Sequence, residues 1–70
     1  MKEYITNHVN KFRTERKVTQ EEFAQAVGVS RQTIIAIEKG KYTPSVLLSL
    51  KIAKYFALPV EDIFSIKHEK

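Results

Sequence analysis

TQEEFAQAVGVSRQTIIAIEKG, Thr19 to Gly40, decides the fold of this 70-residue chain. It reads as two short helices joined by a tight turn at Gly28. Thr19 is a candidate N-cap with Glu22 three residues on, the spacing at which hydroxyl and carboxylate each satisfy an orphaned backbone N–H. Phe23, Ala24 and Val27 then recur at helical spacing. Gly28 follows the last of them, where a left-handed residue is wanted and a missing Cβ removes the steric penalty. Ser30 offers a second N-cap, about 1 kcal/mol better than Ala. Ile34 and Ile37 form the buried stripe of the second helix, and Gly40 stands where that helix should stop. Ala24 is small enough to let the two helices cross closely.

The exposed residues of the second helix are the unusual ones. Ser30, Arg31, Gln32 and Thr33 crowd its first turn, and none belongs to the Ile34/Ile37 stripe. Arg forks onto guanine O6/N7, Gln onto adenine N6/N7, and Ser or Thr reaches either. A helix N-terminus also attracts phosphate. Such a helix, presented by a preceding one, is what a major-groove reader needs.

Composition narrows the alternatives. Seventy residues make one domain, 1–70, whose core is marginal without disulfides, metal or self-association. There is no Cys, hence no disulfide and no thiolate metal site, which suits a reducing cytoplasm. No apolar run approaches a membrane span, and the N-terminus has no apolar signal region. The net charge of +4 is unevenly spread: +3 over residues 1–17, −2 over 18–30, +4 over 31–54 and −1 over 55–70. Positive charge gathers around the reading helix and in the first helix, as a phosphate-facing surface requires. No acid/base pair, nucleophile motif or phosphate-loop glycine run is present. His8 and His68 have no ligand neighbours, so neither catalysis nor a metal is expected, nor any cofactor.

Taken together, TQEEFA, GVSRQTI, IEKGKY, the TPS helix opening, LKIAK and EDIF resemble, in order and spacing, the Cro/C1 (Xre-type) helix-turn-helix regulators. The matching stretches run from Val9 to Phe64. The resemblance implies an all-α, compact five-helix fold of the lambda-repressor type, with a core over 5–64 and a tail over 65–70. It implies an Arg13–Glu38 bridge tying the first helix to the end of the reading helix. It implies that Gln20 meets a phosphate and can buttress a reading-helix side chain. Short members pair through the fifth helix, which assigns Val60, Phe64 and Ile66 to a homodimer interface.

Around this frame the chain reads as follows. Tyr4 to Arg16 is the first helix, with Ile5, Val9 and Phe12 facing inward. Lys17 stands where a Gly commonly ends that helix; held left-handed it costs roughly 1–2 kcal/mol. Ile35 either meets a thymine methyl or rests on a neighbouring helix. Ala36 is small and lets the helix settle into a groove. Lys39, Lys41, the Tyr42 hydroxyl and Thr43 read as phosphate contacts, which position the domain without carrying sequence information. Thr43-Pro44 opens the fourth helix, with Thr as cap and Pro first. Val46, Leu48, Leu50, Ile52, Ala53 and Phe56 supply its apolar surface, most of it core. Leu47, Lys51 and Tyr55 form an outward row, and Leu47 with Tyr55 marks a possible protein contact. Ala57 and Pro59 stand where Gly and a hydroxyl cap are usual. Val60 to Phe64 is a short fifth helix, with Ile63 and Phe64 closing the core. The tail 65–70 has only Ile66 as an anchor and is expected to fray.

The function these residues imply is a sequence-specific, double-stranded DNA-binding transcriptional regulator, a repressor in the cytoplasm of a bacterium or phage host. Ser30, Arg31, Gln32, Thr33 and Ala36 touch bases; Gln20, Lys39, Lys41, Tyr42 and Thr43 hold phosphates. One module buries too little surface for operator-level affinity, so a homodimer on a near-palindromic site is expected, with no small-molecule effector. The rival reading is an antitoxin-like protein that binds a protein partner through Leu47 and Tyr55.

Overall fold

In the computed structural model, which describes residues 2–69, the chain runs β1 (Lys2–Asn7), α1 (Val9–Glu15), α2 (Gln20–Val27), α3 (Arg31–Glu38), α4 (Val46–Phe56), α5 (Val60–Ile63) and β2 (Phe64–Glu69). Side-chain oxygens set three of the helix starts. Thr19 Oγ1 accepts from Glu22 N–H at 3.0 Å, and Glu22 Oε1 accepts from Thr19 N–H at 2.9 Å. The Thr19 backbone N–H, and next its hydroxyl, hold the Glu22 carboxyl below its ordinary pKa. Ser30 Oγ accepts from Thr33 N–H at 3.2 Å, and Ser45 Oγ from Leu48 N–H at 3.1 Å.

The two glycines end α2 and α3. Gly28, at φ +79°, turns the chain so that Val29 N–H returns to the Ala24 carbonyl at 3.0 Å. Gly40, at φ +75°, lets Lys41 N–H return to the Ala36 carbonyl at 2.9 Å. Behind α2 and α3 lies one apolar core: Val9, Phe23, Ala24, Val27, Ile34, Ile37, Leu48, Ile52, Ala53, Phe56 and Ile63. Phe12, Val18, Val29, Leu58, Val60 and Phe64 pack against it, half-buried.

The all-α expectation needs correction. All five helices form, but the first and last stretches make an antiparallel ribbon in the register Lys2↔Glu69, Tyr4↔Lys67, Ile5↔Ile66 and Asn7↔Phe64. The first helix therefore starts at Val9 rather than Tyr4. Tyr4, Ile5 and Thr6 are strand formers, and Ile5 meets Ile66 instead of an inward helix face. The tail is likewise a strand from Phe64 to Glu69 rather than a frayed end; Lys70 lies outside the described residues. Thr43 is not the cap of α4. Ser45 is, two residues later, with Pro44 just outside the helix. Val46 and Leu50 are exposed, not core.

Among the described residues, two non-glycine residues hold the left-handed region, Lys17 and Ala57, both at φ +57°. Each ends a helix where a Cβ is sterically penalised. Ala57→Gly is expected to stabilise the fold by about 1 kcal/mol, the relieved strain exceeding the added unfolded-state entropy. Thermal melting checks this as a rise of roughly 4–8 °C for a domain this small; an unchanged or lower midpoint refutes it.

Candidate nucleic-acid interface

The candidate reading surface is built on the first turn of α3. Ile34 and Ile37 are wholly buried, and this anchors the helix and turns its other side to solvent. Arg31 and Gln32 are exposed, and neither side chain hydrogen-bonds to another described residue. Ser30 is exposed and Thr33 half-buried, and their hydroxyls lie 3.1 Å apart. Those two oxygens thus serve the helix start as well as any outer partner. Ile35 and Ala36 are half-buried.

The flanking residues fall into two groups. Lys39, Lys41, Tyr42 and Thr43 are all exposed, on the short connection between α3 and α4. Gln20 opens α2 and is half-buried; its side-chain amide donates to Glu38 Oε1 at 3.1 Å. Gln20 and Arg31 line one open cleft with Thr19, Glu21 and Arg13, so the N-terminal ends of α2 and α3 present their polar groups together. Helix N-termini carry partial positive charge, and Arg31 adds a full one there.

Glu38 is the hub that holds this arrangement. Arg13 Nε donates to Glu38 Oε2 at 2.7 Å, and Arg13 Nη2 to Oε1 at 3.2 Å. Asn10 and Gln20 each donate to Oε1 at 3.1 Å. Arg13 Nη1 also donates to the Val18 carbonyl at 2.8 Å. The two charged side chains are 11% and 6% exposed. Burial pushes the Glu38 carboxyl upward, but the donors from Arg13, Asn10 and Gln20 and the Arg13 charge outweigh it, so its pKa sits below the ordinary value. One carboxylate thereby joins α1, α2 and the C-terminal end of α3. Asn7 adds a further tie: its Nδ2 donates to the Ile37 carbonyl at 2.8 Å, while its Oδ1 accepts from Val9 N–H at 3.0 Å.

Asn7 and Asn10 escaped sequence reasoning. The only signal was Asn10 three residues before Arg13, on the same helix face. The remaining residues singled out from sequence are dispersed. Val60 and Phe64 pack half-buried on the core, whereas Ile66 is 62% exposed on β2. Leu47 is 65% exposed. The Tyr55 ring lies edge-on to Phe23 and to Phe56, with centroids 5.1 and 5.3 Å apart, so it belongs partly to the core.

Comparison with known proteins adds to this geometry. A helix-turn-helix family model matches residues 9–63. An uncharacterized HTH-type transcriptional regulator of Methanocaldococcus jannaschii is 57% identical over 60 residues, 86% of this chain and 91% of that one. The cryptic phage CTXphi transcriptional repressor RstR of Vibrio cholerae is 33% identical over 61 residues, 87% of this chain and 55% of that one. In shape, the chain is similar to the crystal structure of the transcriptional regulator VanUg, with a TM-score of 0.76 at 24% identity, covering 99% of this chain and 92% of that one.

Proposed function

This chain belongs to the helix-turn-helix family of Cro/C1 (Xre) type, and on that premise we propose that it is a transcriptional repressor that binds a near-palindromic double-stranded DNA operator as a homodimer. The chain acts as one DNA-binding domain in the cytoplasm. α3 enters the major groove with its first turn. Arg31 and Gln32 read base edges, with Ser30 and Thr33 beside them, and Ala36 sits one turn further along the groove wall. Lys39, Lys41, Tyr42 and Thr43 hold backbone phosphates, and Gln20 offers its remaining amide groups to another. The observation that carries this reading is the pair Arg31 and Gln32, exposed on a helix whose opposite stripe is wholly buried.

The test is random-sequence DNA selection followed by binding measurements on the selected site. Arg31→Ala and Gln32→Ala are each expected to weaken binding by about 1–3 kcal/mol and to relax specificity at one base pair. Lys41→Ala is expected to weaken all sequences alike and to reduce the salt slope by about 0.9. If both α3 variants bind the selected site as the wild type does, a different surface reads the DNA.

A protein-binding role through Leu47 remains the second reading, favoured by its exposure. With the Tyr55 ring engaged in the core, that row offers a single projecting apolar side chain. Stoichiometric co-purification of a protein that is released by Leu47→Lys would support it.

A further inference from the structure

Two open clefts, of about 400 and 300 Å³, adjoin where the α2–α3 turn faces α4. Val27, Gly28 and Lys51 line both. One cleft continues between Gln25 and Lys54 to Tyr55, and the other runs past Leu47 to Thr33 and Tyr42. They form one groove across the turn, and no Asp or Glu lines it. The acidic residues of α2 are engaged elsewhere. The Glu22 carboxylate accepts from Thr19 N–H at 2.9 Å, and Glu21 lines the separate cleft that holds Arg13 and Arg31. Lys51 and Lys54 are exposed, and neither pairs with a carboxylate among the described residues. A Cβ built on Gly28 would stand 4.0 Å from Lys51 Nζ, so the ammonium lies over the turn itself. Leu47, one turn before Lys51, is 65% exposed.

We infer that this groove seats an acidic peptide segment of a partner protein, with an apolar residue on Leu47 and carboxylates on Lys51 and Lys54. Unpaired cations in a groove without an acid attract an anionic segment and repel a cationic one. Leu47 alone is a small anchor; the two lysines supply the rest of the surface. Leu47, Lys51 and Lys54 follow at i, i+4 and i+7, so one segment meets the apolar side chain and then both charges in order along the helix. A phosphate backbone would answer the lysines but leave Leu47 uncovered, which favours a peptide over nucleic acid. Arg31 and Gln32 line neither cleft, so the segment and the proposed base contacts use separate residues. The inference builds on the protein-binding reading of Leu47 and names the partner's chemistry. Leu47→Lys tests that reading, whereas the lysine variants keep Leu47 and test the acidic class, so the two fail separately.

The measurement is a backbone-amide NMR titration of the full chain with a short synthetic peptide in which a Leu is followed by paired Glu residues. Saturable shifts are expected at Val27, Gly28, Leu47, Lys51 and Lys54. The double variant Lys51→Glu/Lys54→Glu is expected to weaken the peptide by about tenfold or more, since it sets like charges face to face. Lys41→Glu, outside the groove, is expected to leave the affinity within about twofold after the small change in overall charge is screened at physiological salt. Should the double variant fail to fold by circular dichroism, Lys51→Gln/Lys54→Gln decides, with a weakening in the same direction. The same peptide with Lys in place of Glu is expected not to bind. Equal binding to wild type and both lysine variants overturns the inference. So do shifts centred on Arg31, Lys39 and Lys41, or no saturable shift at millimolar peptide. A short DNA duplex that moves the groove amides more strongly than the peptide does also overturns it, and makes nucleic acid the occupant.

Discussion

Glu38→Ala is expected to destabilise the fold by about 3–5 kcal/mol, the range for stripping one partner from a buried ion pair. The carboxylate accepts from Arg13, Asn10 and Gln20 at 2.7–3.2 Å. Its removal leaves the Arg13 guanidinium, 11% exposed, with only the Val18 carbonyl for company. A domain of this length holds roughly 4–10 kcal/mol in all, so the loss is a large fraction of its total stability. Urea denaturation measures the loss directly. The double variant Arg13→Met/Glu38→Leu removes both charges together and is expected to regain most of the stability, since apolar replacement of a buried pair is often neutral or better. If Glu38→Ala melts within about 1 kcal/mol of wild type, the hub behaves as an exposed surface pair would.

The same carboxylate sets an acid limit. Its folded pKa lies below its ordinary value. As pH falls, the unfolded state takes up the proton first, and the equilibrium moves toward unfolding. The stabilisation is fully present above the ordinary carboxylate pKa and is lost as pH drops through the folded one. Glu38→Ala should therefore show a shallower decline of stability in this acidic window than wild type does. Glu22, also depressed through its Thr19 bonds, contributes the same sign in both proteins and cancels in the comparison.

Phe23→Ala is expected to cost about 3–5 kcal/mol through lost burial and the cavity left behind. Phe23 is wholly buried; its ring stacks on Phe56 with centroids 5.2 Å apart and meets Tyr55 edge-on. Phe56 in turn meets Phe12 at 5.9 Å and lies under the Arg16 guanidinium at 4.8 Å. Truncation at Phe23 therefore loosens α1, α2 and α4 together. The denaturation midpoint should fall with the slope unchanged, and Phe23→Leu should retain most of what Ala loses. Binding to DNA should survive in Phe23→Ala at low temperature, where enough of it is folded. Arg31→Ala should show the reverse, full stability with weakened binding. That contrast separates the residues that support the reading helix from those that read.

Part of this was legible in the residues alone. The capping box at Thr19, the cap at Ser30, the left-handed Gly28 and the Ile34/Ile37 stripe all depend on neighbours within a turn or two, and all stand in the structure. Periodicity misled at Ile5. It lies four residues before Val9, the spacing of a helix face, but its partner is Ile66 across a strand pair. Thr43-Pro44 carried the right chemistry for a helix start, yet Ser45 places its oxygen on the N–H of Leu48 and takes the cap.

Sequence by itself determined the helix-turn-helix unit and the polar turn it presents, because caps, turns and apolar spacing act over a few residues of contiguous chain. Tertiary structure decided the terminal ribbon, the convergence of Asn10, Arg13 and Gln20 on one carboxylate, and the exposure of Val46 and Leu50. These depend on which segments meet across sequence separations of eighteen to sixty-seven positions. Apolar spacing states that a helix has a face to cover. Only the packed molecule reveals which faces its own elements cover and which they leave open.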